Sequence, residues 1–416
     1  MRCRRLVCRS VDSETPETPE REQQQEEHLP IGSRAFVVLL RLAGLAGRPG
    51  WGTALYAGLL CGLLTWVAVV SVRSQFDIGQ EMVGSTGSWS RAAASSGFFG
   101  AILAEVWLTL VIAYITGRRR CAEESFSELM TVLRGAGELV RGAGCTARQH
   151  LEMLTIWALV GLISIGNVGV AIYADGKVSV CNEFSTTCVH HIVTGAGFGC
   201  LIQAFLLIPM KFLFIAFVLA RGLELANEDL EELVIYEPEN AEERLTRNGE
   251  FQKRYVSSFL QLTDAMAAVL LLSMLYGVLT EVALMMSLIN ALSAGSSSAF
   301  VVDTALFLLS AGVSLLGPCE ACQRLLALAG RRCDLLLELE WRRPRLAQQA
   351  GLQRAAATRH LDTIGDLGFF QVRRATLLAV TSTIITYIVI IAQFQATEDG
   401  CNCPDPPTGN ASALRP

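Results

Sequence analysis

Lysine is nearly missing from this sequence: Lys177, Lys211 and Lys253 stand against 31 arginines. Charge of both signs is scarce. Only 18% of residues are Asp, Glu, Lys or Arg, where soluble domains carry about 25%. The formal net charge of −5 excludes a strongly basic nucleic-acid binder. Histidine is scarce too. There are five, and only His190 and His191 are adjacent, with no partner at metal-ligand spacing. Zinc-finger, Gly-rich phosphate-loop, Gly-X-Ser-X-Gly and His-Glu-X-X-His patterns are all lacking. An enzyme is not expected, nor is a cofactor, a metal or a nucleic-acid partner. The N-terminus lacks the apolar run of a signal peptide, because Arg2, Arg4 and Arg5 are followed only by Leu6-Val7.

Apolar residues are what remains. They make up 51% of the chain. Residues 1–33 form a polar leader, and Ser10 to His28 is rich in Glu, Gln, Pro and Thr, a composition that predicts disorder. Cys3 and Cys8 there are candidates for lipidation or are idle. Seven apolar segments follow within residues 34–395, at about 52–72, 96–116, 151–174, 195–220, 266–290, 298–320 and 373–395. Each is long enough to cross ~30 Å of hydrocarbon as a helix. The expected fold is an all-α membrane protein with seven transmembrane helices, contacting membrane lipids, followed by a tail over 396–416.

Arginine and lysine set the orientation. The first 50 residues hold eight, and the loops after the second, fourth and sixth segments hold six, five and ten. The alternate connections hold only Arg73 and Arg91, then Lys177, then none, then Arg415. The N-terminus is therefore expected in the cytoplasm and the C-terminus outside. A G-protein-coupled-type seven-helix receptor has the opposite orientation. On the outer side Asn410-Ala411-Ser412 is a glycosylation acceptor. Cys181, Cys188, Cys401 and Cys403 would share an oxidising space and are disulfide candidates. A bridge within Cys401-Asn402-Cys403 would be strained, and free thiols are the alternative.

On the inner side, Leu223 to Leu233, Phe251 to Leu262 and Leu325 to Trp341 carry apolar residues at helical spacing. Helices that continue past the membrane and pack on each other would explain this. Cys319-Glu-Ala-Cys322 has metal or redox spacing but no second ligand pair, and reads as the end of the sixth helix. Within the spans, ionisable residues are functional candidates by default. Glu105 lies near the middle of the second segment, Lys211 two-thirds through the fourth, Glu281 in the upper half of the fifth and Asp303 near the outer start of the sixth. A Glu105–Lys211 pair would offset two burial costs. The alternative is that each faces water or snorkels.

The last segment is the most specific. It reads GFFQVRRATLLAVTSTIITYIVIIAQFQ from Gly368 to Gln395. Thr386, Ile390, Gln393 and Thr397 fall on one helical stripe, which suits an inner surface or an ordinary packed helix. Thr386-Tyr387, five apolar residues and Gln393-Phe394, preceded by Gly368-Phe369-Phe370 and a basic pair, resemble the C-terminal signature of the insect gustatory receptor family. Leu39 to Gly47 resembles more weakly a Leu-rich run before that family's first helix.

The resemblance implies a ligand-gated, non-selective cation channel at the plasma membrane of chemosensory neurons. It implies a homo- or hetero-tetramer whose pore is lined by the seventh helix. Gln393 and Phe394 would form the constriction, with Ile390, Thr386 and Tyr387 behind it. A small-molecule tastant would bind in the outer half of the bundle, at the level of Glu105, Tyr173, His190, His191, Tyr276, Glu281, Asp303 and Phe307. The inner ends of the fourth to seventh helices would form an anchor region. A G-protein-coupled-type receptor, or a non-conducting relative or transporter, is the alternative. The charge asymmetry disfavours the first, and the lack of a visible internal repeat disfavours a transporter.

Overall fold

A computed structural model describes residues 51–86, 89–117, 186–236, 238–294, 298–361 and 374–400, together with residues 38, 40, 42, 43, 45, 166 and 364. Its described elements are helices: α1 Trp51–Thr86, α2 Trp89–Gly117, α3 Thr186–Ile235, α4 Ala241–Ala294, α5 Ser298–Arg342, α6 Ala347–Leu361 and α7 Arg374–Gly400. No strand occurs among the described residues. The apolar segments at 52–72, 96–116, 195–220, 266–290, 298–320 and 373–395 fall in α1, α2, α3, α4, α5 and α7. The segment at 151–174 lies outside the description except for Gly166.

Three helices run far beyond their apolar stretches. α3, α4 and α5 are 50, 54 and 45 residues long. Their amphipathic extensions bury Leu230, Leu233, Leu245, Leu336 and Leu339 in a core of their own, closed by Leu346 and Ala350 on the α6 side. Pro344 ends α5 and turns the chain so that α6 packs back on it. The apolar halves form a second, larger core with α1 and α2, including Leu64, Val106, Leu110, Phe205, Ile215, Leu270 and Leu315.

A polar network threads the extension bundle. Arg332 of α5 is fully buried at 1% exposure. Its Nε donates to Gln252 Oε1 at 2.8 Å and its Nη2 donates to Asn248 Oδ1, both on α4. Asn248 Nδ2 passes the link on to Asp229 Oδ2 of α3 at 3.0 Å. Asp229 in turn accepts from Arg244 Nε at 3.0 Å. Nearby, Tyr255 donates to the Leu219 carbonyl at 2.6 Å, and Asn227 Nδ2 to the Leu328 carbonyl at 3.0 Å. Burial pulls the Arg332 guanidinium down to about 10, offset in part by Asp229, so it keeps its charge at neutral pH. Exposed pairs, Arg331–Glu231 at 2.8 Å and Arg324–Glu224 at 3.0 Å, repeat the α3–α5 link at the surface and contribute little by comparison.

α7 differs from the others. Among the described helices it leans on α4 and α5, buries Ile384, and leaves Leu378, Ile385, Tyr387, Val389 and Ile390 exposed. Arg374 at its start grips Glu320 of α5 through two contacts, at 2.6 and 2.9 Å.

Arg332→Ala leaves Asn248 Oδ1 and Gln252 Oε1 without their donor in a dry core and is expected to cost about 1–3 kcal/mol. Arg332→Lys should recover only part of this, since an ammonium lacks the planar fork. Thermal unfolding of the purified protein in detergent reads both; unchanged unfolding of Arg332→Ala would contradict the network's role.

Candidate functional site

Halfway along the apolar bundle, polar side chains from three helices are buried without being satisfied. Glu105 of α2 is 9% exposed, and neither carboxylate oxygen has a hydrogen-bond partner. Thr109, one turn on and on the same face, is buried with its hydroxyl likewise unpartnered. α4 contributes Ser273, Tyr276 and Thr280 at spacings of three and four, all buried, with hydroxyls in the same condition. α3 adds Gln203 Oε1. Glu105 lies within electrostatic reach of Tyr276, whose hydroxyl sits beside Thr280 and Ser310 without meeting hydrogen-bond geometry. The Tyr276 ring packs on Phe205 of α3, with centroids 4.3 Å apart at 56°.

Close helix contact holds Tyr276 in place. A methyl group on the neighbouring Gly277 would meet the Ala311 carbonyl oxygen and the Leu315 Cβ of α5 at 3.1 Å, so glycine permits that approach. Buried hydroxyl and carboxyl groups normally find partners, because leaving one unmade costs about 1–3 kcal/mol. Glu105 of α2 and Tyr276 of α4 lie within electrostatic reach of each other beside the Phe205 ring of α3, and a ligand between these helices would supply the partners they lack.

The structure separates the expected residues. Glu105 and Tyr276 come together. Glu281 is half-buried and, five residues past Tyr276, points from another side of α4. The Glu105–Lys211 pair, one of the two readings of these residues, does not form. Lys211 lies further down α3 and donates to the Leu45 carbonyl at 3.0 Å, so its charge reaches the segment before α1 instead. Tyr173, Cys181, Cys401, Cys403 and Asn410 lie outside the described residues, as do the side chains of Cys188, His190, His191, Asp303, Phe307 and Phe394. On α7, Gln393 is exposed on the chain. Thr386 donates to the Ser382 carbonyl of its own helix at 2.8 Å, not to a neighbouring helix, because a spanning hydroxyl finds the carbonyl one turn back first. Thr109, Gln203, Phe205, Ser273 and Thr280 had no sequence expectation. Their signal was spacing from Glu105 and Tyr276, not charge.

Residues 105–398 match the family model described as 7tm Chemosensory receptor. The chain belongs to this family. It is thus a membrane receptor of the chemosensory seven-helix class and not an enzyme. The fold agrees. The olfactory receptor OR5 of Machilis hrabei superposes with a TM-score of 0.62 at 14% identity, over 89% of this chain and 100% of that one. The same insect receptor in complex with eugenol superposes at 0.58 and 15% identity, over the same shares. A search of curated proteins finds no match.

If the receptor's buried polar cluster serves a ligand, its members give the fold little. Tyr276→Phe and Glu105→Gln are expected to leave the thermal unfolding of the ligand-free receptor unchanged or slightly raised, since each removes an unsatisfied group or its charge. A fall worth more than about 2 kcal/mol would show that these groups are held by structural partners.

Proposed function

We propose that this receptor is a gustatory-type, ligand-gated, non-selective cation channel of the plasma membrane, assembled from four homologous subunits in chemosensory neurons. A small molecule binds among α2, α3 and α4 and opens a pore lined by α7. The observation that carries this reading is α7 itself. It is apolar, and the described residues leave much of it exposed, including Tyr387 and Ile390. A helix in that condition fits a surface completed by other subunits around an axis. Gln393 and Phe394 form the constriction near its outer end, an amide ring for partial dehydration of cations and an apolar ring that closes by dewetting. The Thr386-Tyr387 and Gln393-Phe394 pairs are what favour taste over smell.

Residues 1–33 and the α3–α6 extensions lie in the cytoplasm, the extensions forming the anchor region. Residues 396–416 are extracellular, with Asn410 open to glycosylation and Cys181, Cys188, Cys401 and Cys403 open to pairing. The Machilis receptor's complex with eugenol supports a small organic ligand. Binding shifts the population toward the open state by its higher affinity for that state.

Phe394→Ala is expected to raise the resting cation leak of cells expressing the receptor. Unaltered resting and evoked currents at normal surface expression would count against a pore at this position. An epitope after Pro416 should stain intact cells, and one before Met1 only permeabilised cells; the reverse pattern would favour a G-protein-coupled-type receptor.

A further inference from the structure

Glu105 raises a question of charge balance. Its carboxyl is buried in an apolar helix with both oxygens unpartnered. The seven apolar segments contain one cation, Lys211, apart from the Arg373-Arg374 pair at the end of the last. Lys211 is spent on the Leu45 carbonyl and Arg374 on Glu320. Among the described residues, no cation is paired with Glu105. A metal ion fits poorly. Glu105 is the lone carboxylate of the cluster, no group of three acidic, histidine or cysteine ligands occurs among the described residues, and hard cations need more charged oxygens than hydroxyls supply.

An organic cation matches the chemistry of these groups. An ammonium has up to three N–H donors; the two Glu105 oxygens offer acceptors, and the unpartnered Thr280 hydroxyl stands beside Tyr276. The Phe205 and Tyr276 rings stand beside them, apolar enough for the carbon body and electron-rich enough on their faces for the charge. We propose that the ligand of this site is a small primary or secondary amine, bound as its cation with the nitrogen on the Glu105 carboxylate and its carbon skeleton against Phe205 and Tyr276. The proposal rests on the small-molecule reading given above and narrows it to one ligand class. A neutral alcohol of the same shape lacks the charge-assisted hydrogen bond and leaves the carboxylate uncompensated.

The test compares matched pairs on the purified full-length receptor in lipid nanodiscs at pH 7.4: 2-phenylethylamine with 2-phenylethanol, and hexylamine with hexanol. Ligand-induced thermal stabilisation reports binding without requiring current. The wild-type receptor should take an amine at a concentration about tenfold or more below its alcohol, a difference typical of one charge-assisted contact. Glu105→Gln should erase that preference. Equal binding of amine and alcohol to wild type, or an amine preference that survives in Glu105→Gln, overturns the amine assignment and leaves the small-molecule reading standing. No stabilisation by any of the four at millimolar concentration overturns the assignment and weighs against a ligand site here at all.

Discussion

The buried guanidinium of Arg332 is the interaction on which the rest of the receptor depends. A charge taken wholly out of water is tolerable only when donors and acceptors surround it. Gln252, Asn248 and, through Asn248, Asp229 do this from two other helices. The requirement fixes the rotation and height of α3, α4 and α5 relative to one another. Once these three are set at their extensions, their apolar halves enter the membrane in a fixed order, with α1 and α2 packed against them.

The same helices carry the opposite arrangement further along. Around Arg332 most polar atoms are paired. Around Glu105 and Tyr276 they are not. A polar network that is largely satisfied, as here with Arg332 Nη1 and Asn227 Oδ1 left over, stiffens its surroundings, and one left mostly unsatisfied has free energy to release when a partner arrives. The proposed division of labour follows from that contrast: a locked base and a ligand-hungry middle on shared helices. The way to the proposed pore helix is short. α7 rests on α4 and α5, the helices that carry Tyr276 and, beside it, Ser310. A ligand that draws α2 and α4 together acts on the surface that supports α7.

Much of this was legible in the sequence, for physical reasons. Hydropathy gave the helical class, since a chain with so few charges and such long apolar runs has few other solutions. The periodicity of Leu325 to Trp341 showed an amphipathic extension. It also held a clue to Arg332, which sits at helical spacing among Leu325, Leu328, Leu336 and Leu339, on the apolar face. Glu105 stood out because a carboxylate in a spanning helix is costly. Its neighbours did not, because which helices touch is decided by packing across more than a hundred residues of chain. Of the two readings for Lys211, pairing with Glu105 is not the one found, for the same reason. Both lie within spans, but height along the bundle separates them, and a lysine stem can reach a backbone carbonyl outside its own helix.

In the proposed assembly, α7 completes its surface with the α7 of other copies around a pore. Oxidative cross-linking of a Gln393→Cys receptor, with the mass of the detergent-solubilised particle measured in parallel, tests it most directly. The account predicts subunits joined through position 393 in a particle with the mass of four chains. A particle with the mass of one chain, uncross-linked at this position, would contradict it.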